Sequence, residues 1–161
     1  MPRGKQVPKR TIAPDPRYNN LLIAKFINVI MKNGKKTVAQ DIVYGALDIL
    51  KEKKQAKDAA KLFDEVMDAA RPAVEVRSRR VGGANYQVPI PVSSDRQNAL
   101  AFRWLIAAAK ARKGGGMKNR LAAEMLDALA GTGGAIKKKE DTHRMAEANK
   151  AFAHFARRRV K

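Results

Sequence analysis

Three arginines lie just before a pair of glycines in the middle of the chain. Arg77, Arg79 and Arg80 precede Gly82-Gly83, and no carboxylate lies between the first arginine and the second glycine. Guanidinium groups bind phosphates through charge-assisted hydrogen bonds, which suits them to a polyanion. Glycine supplies the positive φ that a tight hairpin turn requires. The spacing therefore predicts a hairpin that carries cations towards a polyanionic partner.

Two further groups of cations have the same character. Five of them surround the glycine triplet at 114–116 without an intervening acid: Lys110, Arg112, Lys113, Lys118 and Arg120. They predict a phosphate-binding ridge, with a solvated charged loop as the alternative. Lys35 and Lys36 open a predicted helix, whose N-terminal N–H groups attract phosphate. Both groups therefore favour the same kind of partner as the arginines.

The segment 33–37 has a glycine followed by lysine and threonine, as a nucleotide-binding phosphate loop does. Val29 stands where that motif requires its first glycine. A predicted helix rather than a strand precedes the segment, which is the wrong context for a phosphate loop. We therefore interpret Lys35 and Lys36 as contacts to the phosphates of a polymer, and we predict no small-molecule substrate.

Residues suited to catalysis or metal binding are scarce. The chain has no cysteine, and its two histidines, His143 and His154, lie too far apart for a helical metal site. We interpret them as surface or RNA-facing side chains. An RNA-processing enzyme, the main alternative of another class, would need a convergent acid-base set, and Glu140-Asp141 is more typical of helix-start charges. The sequence predicts no enzymatic activity, no metal and no cofactor.

The charge balance supports a nucleic-acid partner. The 161 residues include 34 Lys and Arg against 15 Asp and Glu, a net charge of +19, while 45% hydrophobic content predicts a folded body. Such an excess is typical of nucleic-acid-binding domains, with membrane surfaces and acidic proteins as alternatives. The longest apolar run, residues 99–109, falls short of the roughly 18 residues of a membrane span. We expect a soluble, cytoplasmic protein.

Residues 74–92 predict two paired strands. Val74 and Val76 alternate with charged residues before the turn, and Tyr86, Val88 and Ile90 alternate with polar residues or proline after it. This pattern predicts one apolar face and one basic face. Pro89 and Pro91 would leave one edge without donors, which blocks further strand pairing. We expect an isolated two-stranded arm that projects from a helical body.

Apolar residues at helical spacing predict six helices, and the fold class is mainly α: a bundle with a protruding β-hairpin arm. The sixth helix runs from Glu140 to Phe155, with Met145 and Phe152 on its buried stripe, and Val38 is placed on the buried stripe of the second. Trp104 is predicted to belong to the core. Residues 51–57 are predicted to be a polar connection. The predicted helices span residues 19–31, 35–51, 58–70, 96–112, 121–129 and 140–155.

The two ends of the chain are basic. Residues 1–17 hold four cations near the start, and their few apolar residues predict a flexible, phosphate-binding arm. The segment 156–161 predicts a basic tail, so a single helical domain should occupy residues 18–155. The cations of the arm are Arg3, Lys5, Lys9, Arg10 and Arg17, and the first four are predicted to contact RNA.

Three blocks of sequence closely resemble small-subunit ribosomal protein seven of the bacterial type. The first is Gly34-Lys35-Lys36 followed by Ile42-Val43. The second runs from Arg71-Pro72 through the arginines and glycines to Tyr86-Gln87-Val88-Pro89. The third is HRMAEANKAFAH, at 143–154. The resemblance extends from Pro2 to about Phe155, and motifs of this length in this order are specific.

The resemblance implies a helical protein that binds 16S ribosomal RNA in its 3′ major domain and nucleates assembly of the head of the 30S subunit. It implies a hairpin near the exit-site transfer RNA and the messenger path, with Gly82 and Gly83 on the transfer-RNA side, and contacts with small-subunit proteins nine and eleven. It assigns RNA contact to the arm and to Lys35, Lys36, Arg77, Arg79, Arg80, Arg144 and Lys150. Beyond the resemblance, we also predict RNA contact for the cations around the glycine triplet and for Tyr86.

A DNA architectural protein is the nearest alternative in mechanism, since such proteins also combine a helical body with a β-arm. They insert an apolar wedge at the tip of the arm. Gly82-Gly83 offers no wedge, so ribosomal RNA is the favoured partner.

Overall fold

A computed structural model describes residues 11–156 of the chain. This part contains six α-helices, one antiparallel hairpin and a C-terminal 3₁₀-helix, so the predicted fold class is confirmed. The hairpin is inserted between the third and fourth helices. In chain order the elements are α1 (Leu21–Ile30), α2 (Lys36–Lys54), α3 (Ala59–Ala70), β1 (Val74–Val81), β2 (Ala84–Pro91), α4 (Ser94–Ala111), α5 (Met117–Leu129), α6 (Gly134–Ala148) and the 3₁₀-helix (Lys150–Ala156).

The first two helices begin and end where local chemistry requires. The side-chain oxygen of Asn20 accepts hydrogen bonds from the N–H groups of Leu22 and Ile23 and caps α1. Asn33 and Gly34 both have positive φ in the turn before α2. The predicted polar connection at 51–57 is wrong for its first half, because α2 continues to Lys54. Gln55, in the left-handed conformation, ends the helix instead.

All six helices contribute to the core, and its aromatic part lies where α1, α3 and α4 meet. The rings of Phe63 and Phe102 lie 5.3 Å and 5.1 Å from that of Phe26. Trp104 is half-buried and packs against this core, as predicted. Two predicted core positions are wrong, because Val38 is 52% exposed and Met145 is 47% exposed. Buried positions of α2 and α6 carry smaller side chains one residue further along, in Ala39 and Ala146.

A buried carboxylate fixes the segment that precedes α1. Asp15 is 3% exposed and accepts a hydrogen bond of 2.7 Å from the hydroxyl of Tyr44 on α2. Its other oxygen accepts from the N–H groups of Arg17 and Tyr18. Arg17 in turn forms an ion pair with Asp48, also on α2. Asp15, inside the stretch assigned to the basic arm, is thus anchored to α2.

The strands pair in a register that changes which side chains share a face. Val74 lies opposite Pro91 and Val76 opposite Pro89, whereas Arg79 lies opposite Tyr86. Directly opposed residues point to the same side of a sheet. The expectation of one apolar and one basic face is therefore wrong. Because the turn has two residues, even-numbered residues of β1 lie opposite odd-numbered residues of β2. Each face therefore carries side chains from both the face predicted to be apolar and the face predicted to be basic.

The last predicted helix is broken. α6 ends at Ala148, and the chain continues as the 3₁₀-helix, whereas one helix was expected up to Phe155. The side-chain amide of Asn149 donates to the carbonyl of Met145 at the junction. The 3₁₀-helix packs along β2, so the hairpin is not an isolated arm over its whole length.

Candidate nucleic-acid interface

The tip of the hairpin is open to solvent on all sides. Gly82 and Gly83 have φ of 57° and 89°, and a Cβ built on either would meet nothing within 4 Å. The predicted glycine turn is thus confirmed. Arg80 is exposed, and among the described residues it makes no ion pair. Its guanidinium and the backbone of the turn can therefore approach a phosphate together.

The other two arginines of the hairpin are engaged within the protein. Arg77 forms an ion pair with Glu75, whose second oxygen accepts from Arg96 of α4 at 3.2 Å. Glu75 is only 7% exposed. Arg79 donates to the backbone carbonyl of Phe155 in the 3₁₀-helix. These contacts fix the pose of the hairpin, and any contact of Arg77 or Arg79 with RNA stays a prediction.

Tyr86, which we expected to face RNA, belongs to an aromatic cluster. Its ring lies 5.2 Å from that of Phe152 and 5.3 Å from that of Phe155. Both phenylalanines belong to the 3₁₀-helix, where they are half-buried. Offset aromatic pairs at this distance add stability beyond their buried area. The cluster explains how the 3₁₀-helix holds β2.

His143 joins the base of the hairpin to α6. Its Nε2 atom accepts a hydrogen bond of 3.1 Å from the N–H group of Ala73, the residue before β1. His143 stays partly exposed, and an RNA-facing role for it stays a prediction. Lys139, one turn earlier on α6, donates to the carbonyl of Ala69 at the end of α3. α6 therefore holds the chain at the point where the hairpin begins.

The start of α2 presents two exposed lysines. Lys35 is its N-cap residue and Lys36 its first residue, and Lys35 makes no side-chain capping bond. The first N–H groups of a helix lack intrahelical partners and carry a partial positive charge. The structure thus brings both lysines to a helix end suited to phosphate.

The loop between α4 and α5 divides its cations into two kinds. Arg112 binds Glu124 at 2.7 Å and also binds Asp127, and hydrogen bonding to Asp127 is the main cause that raises the pKa of Arg112. Arg120 donates to the carbonyls of residues 110 and 112. Both arginines therefore hold the loop together. The lysines Lys110, Lys113 and Lys118 are exposed, and no ion pair engages them among the residues described.

The remaining residues predicted to contact RNA are either exposed on α6 and the 3₁₀-helix or lie outside the described part of the chain. Arg144 and Lys150 are exposed, and each lies 3.9 Å from an acid three residues earlier, Asp141 and Glu147. Such exposed pairs contribute little and leave the cation accessible. Four predicted contacts lie outside the described residues: Arg3, Lys5, Lys9 and Arg10.

Sequence reasoning missed two groups of residues. Glu75 and Glu124 are buried acids that position the arginines. The only feature of the sequence that could have indicated this role was an isolated acid close to an arginine. Lys25 and Arg103 line a groove between α1 and α4, which no spacing in the sequence indicated. The second group adds two cations, Lys25 and Arg103, to the candidate interface.

Residues 11–156 contain no group of His, Cys, Asp and Glu that could hold a metal ion. In that range, each helix is also too short or too polar to traverse a bilayer.

A helical body, a basic β-hairpin and exposed lysines at helix ends are typical of the class of proteins that bind nucleic acid. Residues 2–150 match the family model described as ribosomal protein S7p/S5e. The chain belongs to this family. It is therefore a structural, non-enzymatic ribosomal protein of the small subunit, acting in translation within the cytoplasm and bound to ribosomal RNA and to other ribosomal proteins.

Bacterial relatives agree over nearly the full length. The chain is 59% identical to the small ribosomal subunit protein uS7 of Idiomarina loihiensis over 155 residues, which cover 96% of this chain and 99% of the relative. It is 57% identical to uS7 of Nitrosospira multiformis and 56% identical to uS7 of Pelotomaculum thermopropionicum, with the same coverage. The resemblance seen in the sequence is thereby confirmed.

Proposed function

We propose that the chain binds the 3′ major domain of 16S ribosomal RNA directly and nucleates assembly of the head of the 30S subunit. The observation that supports this most is a set of exposed cations at three sites of the folded body. Among the residues described, none of them pairs with a carboxylate. They are Lys35, Lys36, Arg80, Lys110, Lys113 and Lys118.

The distribution of the acids supports the same proposal. Glu75, Glu124 and Asp48 each bind an arginine in the folded protein. Acids that are neutralised in this way repel an approaching phosphate less than free ones would. The surplus of positive charge is thus held on a rigid body with fixed separations. Such a surface recognises RNA through shape, phosphates and 2′-hydroxyls rather than through base pairs in the deep major groove.

The hairpin tip is our candidate for contact with exit-site transfer RNA and the messenger path. Support comes from the open space around Gly82 and Gly83 and from the exposed guanidinium of Arg80 beside them. A backbone without side chains approaches a phosphate more closely than one with them. Contacts with small-subunit proteins nine and eleven belong to the same proposal and rest on the family resemblance.

A binding titration with the 3′ major domain of small-subunit ribosomal RNA tests the central claim. Total transfer RNA and duplex DNA serve as competitors, at two salt concentrations. If about eight phosphates are neutralised, the slope of log K against log salt should lie near −6. We expect binding to survive both competitors. A preference for duplex DNA, or a slope shallower than about −2, would contradict the proposal.

The role of the hairpin tip needs a separate test on assembled subunits. Arg80→Ala should speed dissociation of transfer RNA from the exit site several-fold, because one charged contact is lost. Lys61→Ala, an exposed cation on α3, is the matched control. Equal dissociation rates for both variants would count against a tip that touches transfer RNA.

A further inference from the structure

An apolar groove of about 780 Å³ lies between α1 and α4. Val29 of α1 and Ile106 of α4 lie on its walls, and Phe102 contributes to its floor. Val29 is 52% exposed, and Ile12, also on the wall, is 41% exposed, so large apolar side chains are left in contact with water here. The volume falls within the range of roughly 300–1,000 Å³ that is typical of small-ligand sites.

Cations surround this groove. Lys25, Arg103 and Lys110 line it, and no ion pair engages any of them within residues 11–156. Asp95 is the single acid among the lining residues and lies at the first turn of α4. The groove thus combines an apolar floor with a predominantly positive rim.

The groove also connects two parts of the candidate interface. At one end, Asn98 accepts from Arg71 at 2.7 Å and Arg96 binds Glu75, so this end adjoins the base of the hairpin. At the other end, Lys110 adjoins the loop with the glycine triplet. From Asp95 to Lys110 the helix rises about 22 Å. A strand of RNA that contacts both ends lies along the groove.

We propose that the groove holds an unpaired RNA nucleotide, with the base against Val29 and Ile106 and the adjoining phosphates on Lys25 and Arg103. This inference rests on the proposed function and locates a subsite within it. Unpaired bases present apolar faces beside charged phosphates, and sites for single strands combine the matching features.

The test titrates the full chain with a short single-stranded oligoadenylate and with an RNA duplex of equal charge. Methyl NMR signals of Val29, Ile106 and Ile12 report on the groove, and a labelled oligonucleotide gives the affinity. We expect these signals to shift with the single strand and to stay unchanged with the duplex, because only the single strand has free base faces.

Two variants and one matched control separate the base from the phosphates. Val29→Ser should weaken single-strand binding about fivefold without changing the salt slope. Arg103→Gln should weaken binding and reduce the slope by about 0.7, the share of one phosphate. Val38→Ser is the control, because Val38 is 52% exposed like Val29 but lies outside the groove, and it should leave both quantities unchanged.

Three results would overturn the inference. Val29→Ser and Val38→Ser could weaken binding equally, the duplex could shift the groove methyls as the single strand does, or the RNA could bind while those signals stay still. The last result would mean that protein, not RNA, covers the groove. Tight binding to the 3′ major domain alongside any of them leaves the proposed function intact, so the two failures are distinguishable.

Discussion

Two buried carboxylates, Glu124 and Glu75, bind arginines in very different surroundings. Glu124 is 1% exposed; one oxygen binds Arg112 and the other accepts from the first turn of α6, at the N–H of Ala135. Glu75 is 7% exposed, but the side chains of its partners Arg77 and Arg96 are 56% and 40% exposed. Water therefore screens the arginines of the second cluster more than Arg112, whose side chain is 29% exposed.

The difference indicates which part of the protein is held more rigidly. In the body, removal of Glu124 leaves the N–H of Ala135 without its acceptor and Arg112 with a single acid, so the cost is larger. At the base of the hairpin, water can solvate the arginines that lose their partner. The loss of a buried ion pair should therefore cost more in the body, whereas the loss of Glu75 at the base of the hairpin should cost less.

The largest expected effect is at Glu124. Glu124→Ala leaves Arg112 with one acid and the start of α6 without its acceptor, so the free energy of unfolding should fall by about 3–5 kcal/mol in urea titrations. Asp127, the other partner of Arg112, has a side chain that is 44% exposed. Asp127→Ala should therefore cost only about 1 kcal/mol. Equal losses would contradict the role given to burial.

A second effect on the body tests how closely α6 approaches α4. A Cβ at Gly134 would lie 2.9 Å from the Cβ of Ala108, so Gly134→Ala should lower the free energy of unfolding by about 1–3 kcal/mol. Ala108→Gly restores the space, and the double variant should lose less than the sum of the two changes. Strict additivity would show that the two helices do not meet there.

Tyr44 extends the comparison to the third buried acid. Tyr44→Phe removes the donor to Asp15 and should cost about 1–2 kcal/mol of unfolding free energy. Burial, with the bond to Asp15, raises the pKa of Tyr44 from 10.0 to about 12. Because the folded state favours the neutral phenol, this stabilisation is complete below pH 10 and is lost as the pH rises towards 12. The stability gap between the two proteins should narrow over that range; a constant gap would argue against it.

At the hairpin the effect should be smaller and local. Glu75→Ala should lower the free energy of unfolding by only about 1 kcal/mol, because both arginines remain hydrated. Hydrogen exchange should quicken at β1 and β2 and stay unchanged in α2 and α5. A loss as large as that of Glu124→Ala would remove the distinction between the two clusters.

The smallest effect on stability is expected at the tip. Arg80→Ala should change the free energy of unfolding by less than about 0.5 kcal/mol. The salt slope for ribosomal RNA should nevertheless fall by about 0.7, since one phosphate contact is lost. Lys61→Ala, exposed on α3, should alter neither quantity.

Local signals in the sequence predicted the elements well, and their faces less well. Glycine pairs and helix-capping residues act within a few positions, so the hairpin turn and the six helices could be identified. Large apolar residues were weighted too heavily, which misplaced Val38 and Met145 in the core. Alanines, which let helices approach closely, occupy much of the core instead: Ala39, Ala46, Ala101, Ala109, Ala122, Ala128, Ala135 and Ala146.

Contacts between distant segments could not be predicted. The helical pattern continues through Phe155, but Phe152 and Phe155 pack on Tyr86, and this tertiary contact accompanies a 3₁₀-helix. The groove between α1 and α4 and the engaged state of Arg112 likewise depend on how helices meet. The sequence therefore identified candidate cations by residue type. Only the structure shows which of the described ones form ion pairs within the protein.

The bond from Arg79 to the carbonyl of Phe155 joins residues 76 positions apart. Because synthesis proceeds from the N-terminus and folding begins during it, the hairpin, α4 and α5 all leave the translating ribosome before the segment that covers β2. Tyr86 stays uncovered until residues 152–155 have been added. Newly made chains that are cut short before that point should thus display an open aromatic surface, which distinguishes them from finished ones.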